Sequence, residues 1–207
     1  MTKCEVIRII KTMQFKMNLM LGLAGTLFAL SSCGSGLKRL QNIDHNESGF
    51  AIYRSGQPEA SDAEEVCGLG ESRIFALNGK GADYAGALAT KCPKTKVVYD
   101  QPQEPHIPVS PDFLTMFDQQ VTDAKANNLT ILFHCNCGCH RTGRLAAYYR
   151  MKYQGWTPQD AIKEMHEVGD DMDAHPYLDG QVYAIYDFIK GRSCTQSADK
   201  CVGSPGP

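Results

Sequence analysis

An α/β fold is what this sequence predicts, on two observations. Four short apolar or β-branched runs, "FAIYRS" (50–55), "RIFALN" (73–78), "KVVYD" (96–100) and "TILFHC" (130–135), are each bounded by Gly, Pro or Asn and read as buried strands. Capped stretches of helical period lie between and after them, and such alternation builds a sheet with helices packed on it. Beyond residue 33 the 207-residue chain is long enough for one domain with its own core.

At the N-terminal end, Lys3, Arg8, Lys11 and Lys16 precede the apolar run "NLMLGLAGTLFAL" (18–30), the pattern of an export signal. The run is too short to span a bilayer. "LSSC" (30–33) resembles the lipobox of bacterial lipoproteins, whose cysteine is acylated and becomes the new N-terminus. Cys33 is therefore the expected lipid anchor, with an ordinary signal peptide over residues 1–33 as the alternative. Either reading puts the mature chain in a bacterial cell envelope, periplasmic or surface-exposed, and the lipid reading makes the membrane a partner. Residues 34–48, "GSGLKRLQNIDHNES", read as a tether, residues 49–191 as the domain, and residues 192–207, rich in Gly, Ser and Pro, as a flexible tail.

Within the domain, "EASDAEEVCGLG" (59–70) is expected to be a helix opened by a Ser61 cap. In "SPDFLTMFDQQVTDAKANN" (110–128) Ser110 caps, Pro111 takes the first turn, and Phe113, Phe117 and Val121 share one face. Three more helices are expected at 141–154, 157–169 and 177–191. In the second of these Thr157 caps, Pro158 starts the helix, Ala161, Ile162, Met165 and Val168 form the apolar stripe, and Gly169 closes it. His166, beside that stripe, reads as a surface residue.

After residue 33 the chain carries 17 Lys and Arg against 22 Asp and Glu, a net charge of −5 with histidines neutral. A nucleic-acid surface is excluded on that balance, and an anionic substrate has to be held by local donors. Seven of the nine cysteines lie beyond the lipobox. Cys67 with Cys92 and Cys194 with Cys201 are candidate bridges, with free thiols as the alternative, and an odd count leaves at least one unpaired.

The remaining cysteines sit in "HCNCGCHRTG" (134–143), where a buried strand runs through a short loop into a helix. Strand, loop and helix N-terminus together point several backbone N–H groups and the positive end of a helix dipole at one place, which suits an oxyanion. Cys135 stands at the mouth of the loop with Arg141 six positions on, so the sulfur can lie under a bound phosphate while the guanidinium grips it from the side. Donors that hold phosphate also favour thiolate over thiol, which makes Cys135 the candidate nucleophile. Asn136, Cys137, Gly138, Cys139, His140 and Arg141 are the candidate phosphate-binding residues, with Gly138 letting the backbone approach the ligand. Thr142 can donate its hydroxyl to the departing sulfur, and His134 is expected to steady the loop.

These residues match His-Cys-x5-Arg-Thr, so the chain is identified as resembling the protein tyrosine phosphatase superfamily. "FAIYRSGQPEA", "KVVYDQPQEPHIPVSP" and "HRTGRLAAYYRMKYQGWTPQDAIKE" extend the likeness to about residues 48–190. They are similar to the atypical dual-specificity phosphatases of plants and fungi and to the bacterial cysteine phytases. The resemblance implies a protein tyrosine phosphatase-like fold with a four- to five-stranded, mostly parallel sheet flanked by helices. It also implies a phosphocysteine intermediate, no cofactor and no metal. An upstream loop would then deliver the general acid. Asp100, 35 residues before Cys135, is the first candidate, and Glu104 and His106 are the alternatives.

Two rival readings of the loop are weaker. A metal site built from His134, Cys135, Cys137, Cys139 and His140 lacks the C-x2-C pairing and leaves Arg141-Thr142-Gly143 without a role. A redox protein of the thioredoxin kind would need C-x-x-C, although Cys137 and Cys139 stand near enough to react with an oxidised Cys135. For substrate, inositol polyphosphates come first, and phosphotyrosine or phosphoserine in proteins second. Lys80, between glycines in "NGKGADY", is the expected extra phosphate donor at the strand ends. Arg144, Arg150 and Lys152 read as a solvated helix face, and Phe50 and Tyr53 as core.

Overall fold

The structure, a computed structural model, describes residues 36–205. The export signal and Cys33 lie outside the described residues. Five strands form one sheet in the order β1-β2-β5-β3-β4: β1 (Gln41–His45), β2 (Ala51–Ser55), β3 (Ser72–Ala76), β4 (Lys96–Asp100) and β5 (Thr130–His134). All neighbours run parallel except β1, which pairs antiparallel with β2.

The central strand β5, "TILFH", is buried along its whole length because helices cover both faces, which explains its unbroken apolar run. Successive side chains alternate between the faces. Ile131 and Phe133 join Phe75, Phe117 and Tyr148 in the larger core, whereas Leu132 joins Ile74, Val66, Tyr84 and Leu88 in the smaller one. The smaller core lies under α1 (Ala63–Gly68) and α2 (Ala82–Lys91), and the larger under α3 (Pro111–Asn127), α4 (His140–Tyr153), α5 (Pro158–Val168) and α6 (Tyr177–Ile189).

Two expected caps are present. Ser110 accepts the Phe113 N–H at the start of α3, and Thr157 accepts the Asp160 N–H at the start of α5, each with proline next in the chain. The Ser61 cap is not: Glu59 and Asp62 form a reciprocal capping box around a short 3-10 turn, and α1 begins only at Ala63. Helix α2 was not expected at all, since "ADYAGALATK" carries a glycine and a weak apolar pattern.

Both flanks of the expected domain need correction. The segment read as a tether supplies β1 and buries Leu37 and Ile43, so the folded unit begins near Gly36. The segment read as a flexible tail is fastened to the domain. Asp187 on α6 accepts the Thr195 N–H at 2.8 Å and its hydroxyl at 2.6 Å, and the Gly203 N–H reaches the Val109 carbonyl at 3.0 Å. Both candidate cysteine pairs, Cys67–Cys92 and Cys194–Cys201, are disulfide-bonded. Phe50 is core as expected, and Tyr53 packs at the edge of the smaller core.

Candidate active site

The C-terminal end of β5 hands the chain to residues 135–139, and α4 starts at His140. This turn is pressed onto the ends of its neighbours. The Gln57 N–H donates to the Asn136 carbonyl at 3.2 Å, the Leu77 N–H to the His134 carbonyl at 2.9 Å, and Asn78 Nδ2 to Asn136 Oδ1 at 2.6 Å. Gly138 has φ +78°, and a Cβ there would stand 2.7 Å from Gly56 N and from the Ser55 carbonyl carbon. Only glycine meets both conditions, because the conformation is left-handed and the opposing atoms are backbone.

A buried cation lies beneath the turn. Arg54, on β2, donates to the Gly138 carbonyl at 2.8 Å and lies 3.5 Å from that of Cys139. From the opposite side, Arg39 holds the Cys137 carbonyl at 3.0 Å and pairs with Asp170. Holding these carbonyls leaves the loop's N–H groups, other than that of Cys139, without a carbonyl of the loop to bond and free for an anion at the start of α4.

Cys135 is buried, and its thiol is held well below the ordinary value. The Cys137 thiol donates to its sulfur, the Thr142 hydroxyl and N–H add to this, and the Arg141 guanidinium favours the negative charge. Cys137 is correspondingly pushed far up, because donating to Cys135 keeps its proton in place; its own sulfur accepts the Cys139 N–H at 3.0 Å. His134 is buried and neutral, brought down to about 4 by burial, with Nε2 2.6 Å from the Tyr84 hydroxyl. It steadies the loop from behind.

Two buried polar atoms on the loop have no protein partner, His140 Nε2 and Arg141 Nε. Buried polar groups are almost always paired, so two orphans beside one sulfur mark where a ligand's oxygens go. Among the described residues, no three His, Cys, Asp or Glu side chains are arranged to hold a metal ion.

Residues 101–108 lie over this site. Arg141 Nη1 is 3.4 Å from the Gln103 carbonyl, and Arg144 grips the same segment through the carbonyls of Pro105 at 3.3 Å and Ile107 at 2.8 Å. Gln181 completes the clamp by bonding Arg144 and the carbonyls of Pro105 and His106. Arg144 is therefore a buried strut and not part of a solvated face, and burial lowers it to about 10. Arg150 is likewise engaged, with Glu164 and the Ile43 carbonyl, and Lys152 with Asp118.

Asp100 ends β4, and its Oδ1 accepts the Gly81 N–H at 2.7 Å, so one of its oxygens secures the β3–α2 loop. It stands near enough to His134 and Tyr84 for its charge to act on both. Glu104 and His106 are exposed on the overlying loop, where the His106 ring lies 4.4 Å from that of Tyr177. Lys80 is exposed between Gly79 and Gly81, and no contact ties it to the phosphate loop. A row of rings continues from His106 through Tyr177 and His175 to His140, whose ring meets His175 edge to face at 4.0 Å. Burial, and then the neighbouring His175, lower His140.

Sequence reasoning missed Arg54, Tyr84, Asn78 and Arg144. Only Arg54 left a signal, a lone charge inside an otherwise apolar strand.

The chain is similar to known phosphatases. The family described as "Dual specificity phosphatase, catalytic domain" matches residues 89–187. Dual specificity protein phosphatase TpbA from two strains of Pseudomonas aeruginosa is 47% identical over 55 residues, 24% of this chain and 25% of the relative. The matched stretch thus spans a quarter of those relatives' length. The crystal structure of P. aeruginosa TpbA is 26% identical with a TM-score of 0.51, over 67% of this chain and 86% of that one. A second structure of that protein, in complex with phosphotyrosine, is 25% identical with a TM-score of 0.51, over 67% and 85%. The core catalytic domain of the Saccharomyces cerevisiae PP-IP phosphatase SIW14, in complex with citrate, shares the fold at 22% identity and a TM-score of 0.53, over 66% and 79%.

Proposed function

We propose that this chain, whose phosphate loop carries the His-Cys-x5-Arg-Thr pattern and which is similar to a dual specificity phosphatase catalytic domain over residues 89–187, hydrolyses phosphate monoesters through a phosphocysteine on Cys135. The observation that carries this is the buried Cys135 sulfur, with its thiol held well below the ordinary value beside two unpartnered groups of the same loop, His140 Nε2 and Arg141 Nε. The thiolate attacks phosphorus, the alkoxide or phenoxide leaves with a proton from the general acid, and water then cleaves the S–P bond. Arg141 and the N–H groups of residues 136–141, except that of Cys139, which donates to the Cys137 sulfur, hold the oxygens that carry transition-state charge, where losing one preorganised donor costs roughly 10²–10³ in rate. Thr142 donates to the sulfur as it departs. His134, Arg54 and Gly138 position the loop without touching substrate.

Asp100 is the assigned acid, on its place at the β4 end and its influence on His134. The rivals are Glu104 and His106, on the segment that lies against Arg141. Asp100→Asn should slow alkyl phosphates far more than activated aryl phosphates, which need no protonation on departure; the same pattern in Glu104→Gln instead would move the assignment.

Inositol polyphosphates are the proposed substrates. The support is the group of ionisable side chains beside the loop, His140, His175 and His106, with Lys80 on the adjoining loop: more donors than one phosphate requires. Phosphotyrosine or phosphoserine in proteins is the second reading, favoured by the likeness to a dual specificity protein phosphatase whose structure is known with phosphotyrosine bound. A panel that sets inositol hexakisphosphate and inositol pyrophosphates against phosphopeptides, read as kcat/KM, decides between them. Envelope anchoring through Cys33 belongs to the same proposal, and detergent partitioning of the mature full chain against a Cys33→Ser chain tests it.

A further inference from the structure

Residues 36–40 belong to the stretch that reads as a tether in the sequence, yet the fold pins them on both sides of Arg39. Leu37 is buried in the smaller core with Leu40 packed on it, and its N–H donates to Glu65 Oε2 at 2.8 Å. The Gly56 N–H donates to the Lys38 carbonyl at 2.6 Å. Arg39, caught between these fixed points, has φ +53°, a left-handed conformation in a residue with a long side chain. Such strain persists only where the surrounding structure imposes it, and it clusters at functional sites. From this backbone the guanidinium forks between two distant segments: Nη1 donates to the Cys137 carbonyl at 3.0 Å, 98 positions away, and Nη2 pairs with Asp170.

A trans peptide points its C=O and the next residue's N–H in opposite directions, so whatever holds a loop carbonyl also aims one N–H. The Leu77 N–H, on the His134 carbonyl, sets the N–H of Cys135, and the Gln57 N–H, on the Asn136 carbonyl, sets that of Cys137. Arg54, on the Gly138 carbonyl, sets the Cys139 N–H, which is taken by the Cys137 sulfur. The Cys137–Gly138 peptide is the one that Arg39 holds, and its N–H bonds no acceptor among the described residues. We propose that Arg39 is a positioning residue for phosphoryl transfer: its grip on the Cys137 carbonyl aims the Gly138 N–H at a phosphoryl oxygen, while Asp170 keeps the guanidinium in register. The proposal rests on the reading of Cys135 as the nucleophile of a phosphatase. Arg39 itself touches no substrate. An external grip is needed at this peptide because Gly138, without a Cβ and at φ +78°, does little to restrict its rotation. A donor helps most when it is fixed before charge develops, so the effect of Arg39 falls mainly on the transition state.

The test compares the mature full chain with Arg39→Gly and Arg39→Lys. Glycine removes the guanidinium and accepts the left-handed backbone without strain, so this variant should fold, with an unfolding midpoint within about 4 °C of the wild type. Its kcat on para-nitrophenyl phosphate should nevertheless fall ~10- to 100-fold, short of the roughly 10²–10³ lost with a whole preorganised donor. The inhibition constant of orthovanadate, which takes the five-coordinate geometry of the transition state, should rise by a similar factor, and that of inorganic phosphate by less. Arg39→Lys should lie between the two proteins, because an ammonium can still donate to the carbonyl but cannot fork to Asp170 as well. In amide NMR spectra the Gly138 N–H should move downfield when vanadate binds the wild type and stay in place in Arg39→Gly. A kcat within about twofold of wild type in Arg39→Gly, a lower kcat without weaker vanadate inhibition, or a Gly138 amide that responds as in the wild type would overturn the proposal. A wild type that does not hydrolyse the substrate would instead overturn the functional reading; the Gly138 amide response still tests Arg39 in that case, so the two failures are separable.

Discussion

Acid should destabilise the fold through His134, which the structure buries against Tyr84. Burial brings this imidazole from its usual 6.5 down to about 4. The folded state therefore refuses a proton that the unfolded chain accepts, and between those two values the unfolded state binds more protons. Stability from this group is fully present above pH 6.5, falls as the pH drops, and levels off below about pH 4 when both states are protonated. Each unit is worth ~1.4 kcal/mol, so the whole window carries about 3 kcal/mol, equivalent to roughly 6–12 °C in unfolding midpoint for a chain of this length. Urea unfolding of the wild type and His134→Gln, at intervals from pH 7.5 to pH 4, isolates the effect, since groups common to both proteins cancel. Glutamine can still bond the Tyr84 hydroxyl but does not titrate. The stability difference between the two proteins should shift by about 3 kcal/mol against the wild type over that range. A difference that stays constant with pH would refute the assignment of His134 as a buried neutral strut.

Other positions respond in ways that can be measured separately. Gly138→Ala forces a left-handed alanine against the backbone of Ser55 and Gly56; a loss of about 2–5 kcal/mol in denaturant unfolding and a drop of at least ~10²-fold in kcat from the displaced loop are expected. Arg144→Lys keeps the charge but cannot reach the carbonyls of Pro105 and Ile107 together, so faster amide exchange over residues 101–108, a lower kcat and a stability loss of about 1–3 kcal/mol from the buried groups left unpaired are expected. Asp187→Ala frees Thr195 and Arg192 and should speed proteolysis between Arg192 and Lys200 while leaving phosphatase activity within about twofold, because the contacts are local.

How much of this could be read from the sequence follows from how local each determinant is. The caps at Ser110 and Thr157, the run of β5 and the span from Cys135 to Arg141 are contiguous patterns, and each stands where the sequence puts it. Strand β1 hid inside a polar stretch because it is an edge strand with one buried side chain, Ile43, and so shows no apolar run. Helix α2 has four alanines and fair intrinsic propensity, but its two buried residues, Tyr84 and Leu88, make too short an apolar stripe to stand out before they pack on the sheet. The supports of the loop were the least accessible. Arg54 lies 84 positions from Gly138, Tyr84 lies 50 from His134 and Arg144 lies 37 from Ile107, and only the folded chain brings them together. The tail misled for the opposite reason: glycine, serine and proline suggest looseness, but Asp187 and the Cys194–Cys201 bridge hold the segment in place.

The most direct test of the central claim is to trap the intermediate. Wild-type enzyme quenched in acid within milliseconds of mixing with para-nitrophenyl phosphate should carry one phosphoryl group, mapped by mass to Cys135, and the Cys135→Ser protein should bind phosphate but show no turnover. A phosphoryl group on any other residue, or sustained hydrolysis by Cys135→Ser, would contradict the assignment of that sulfur as the nucleophile.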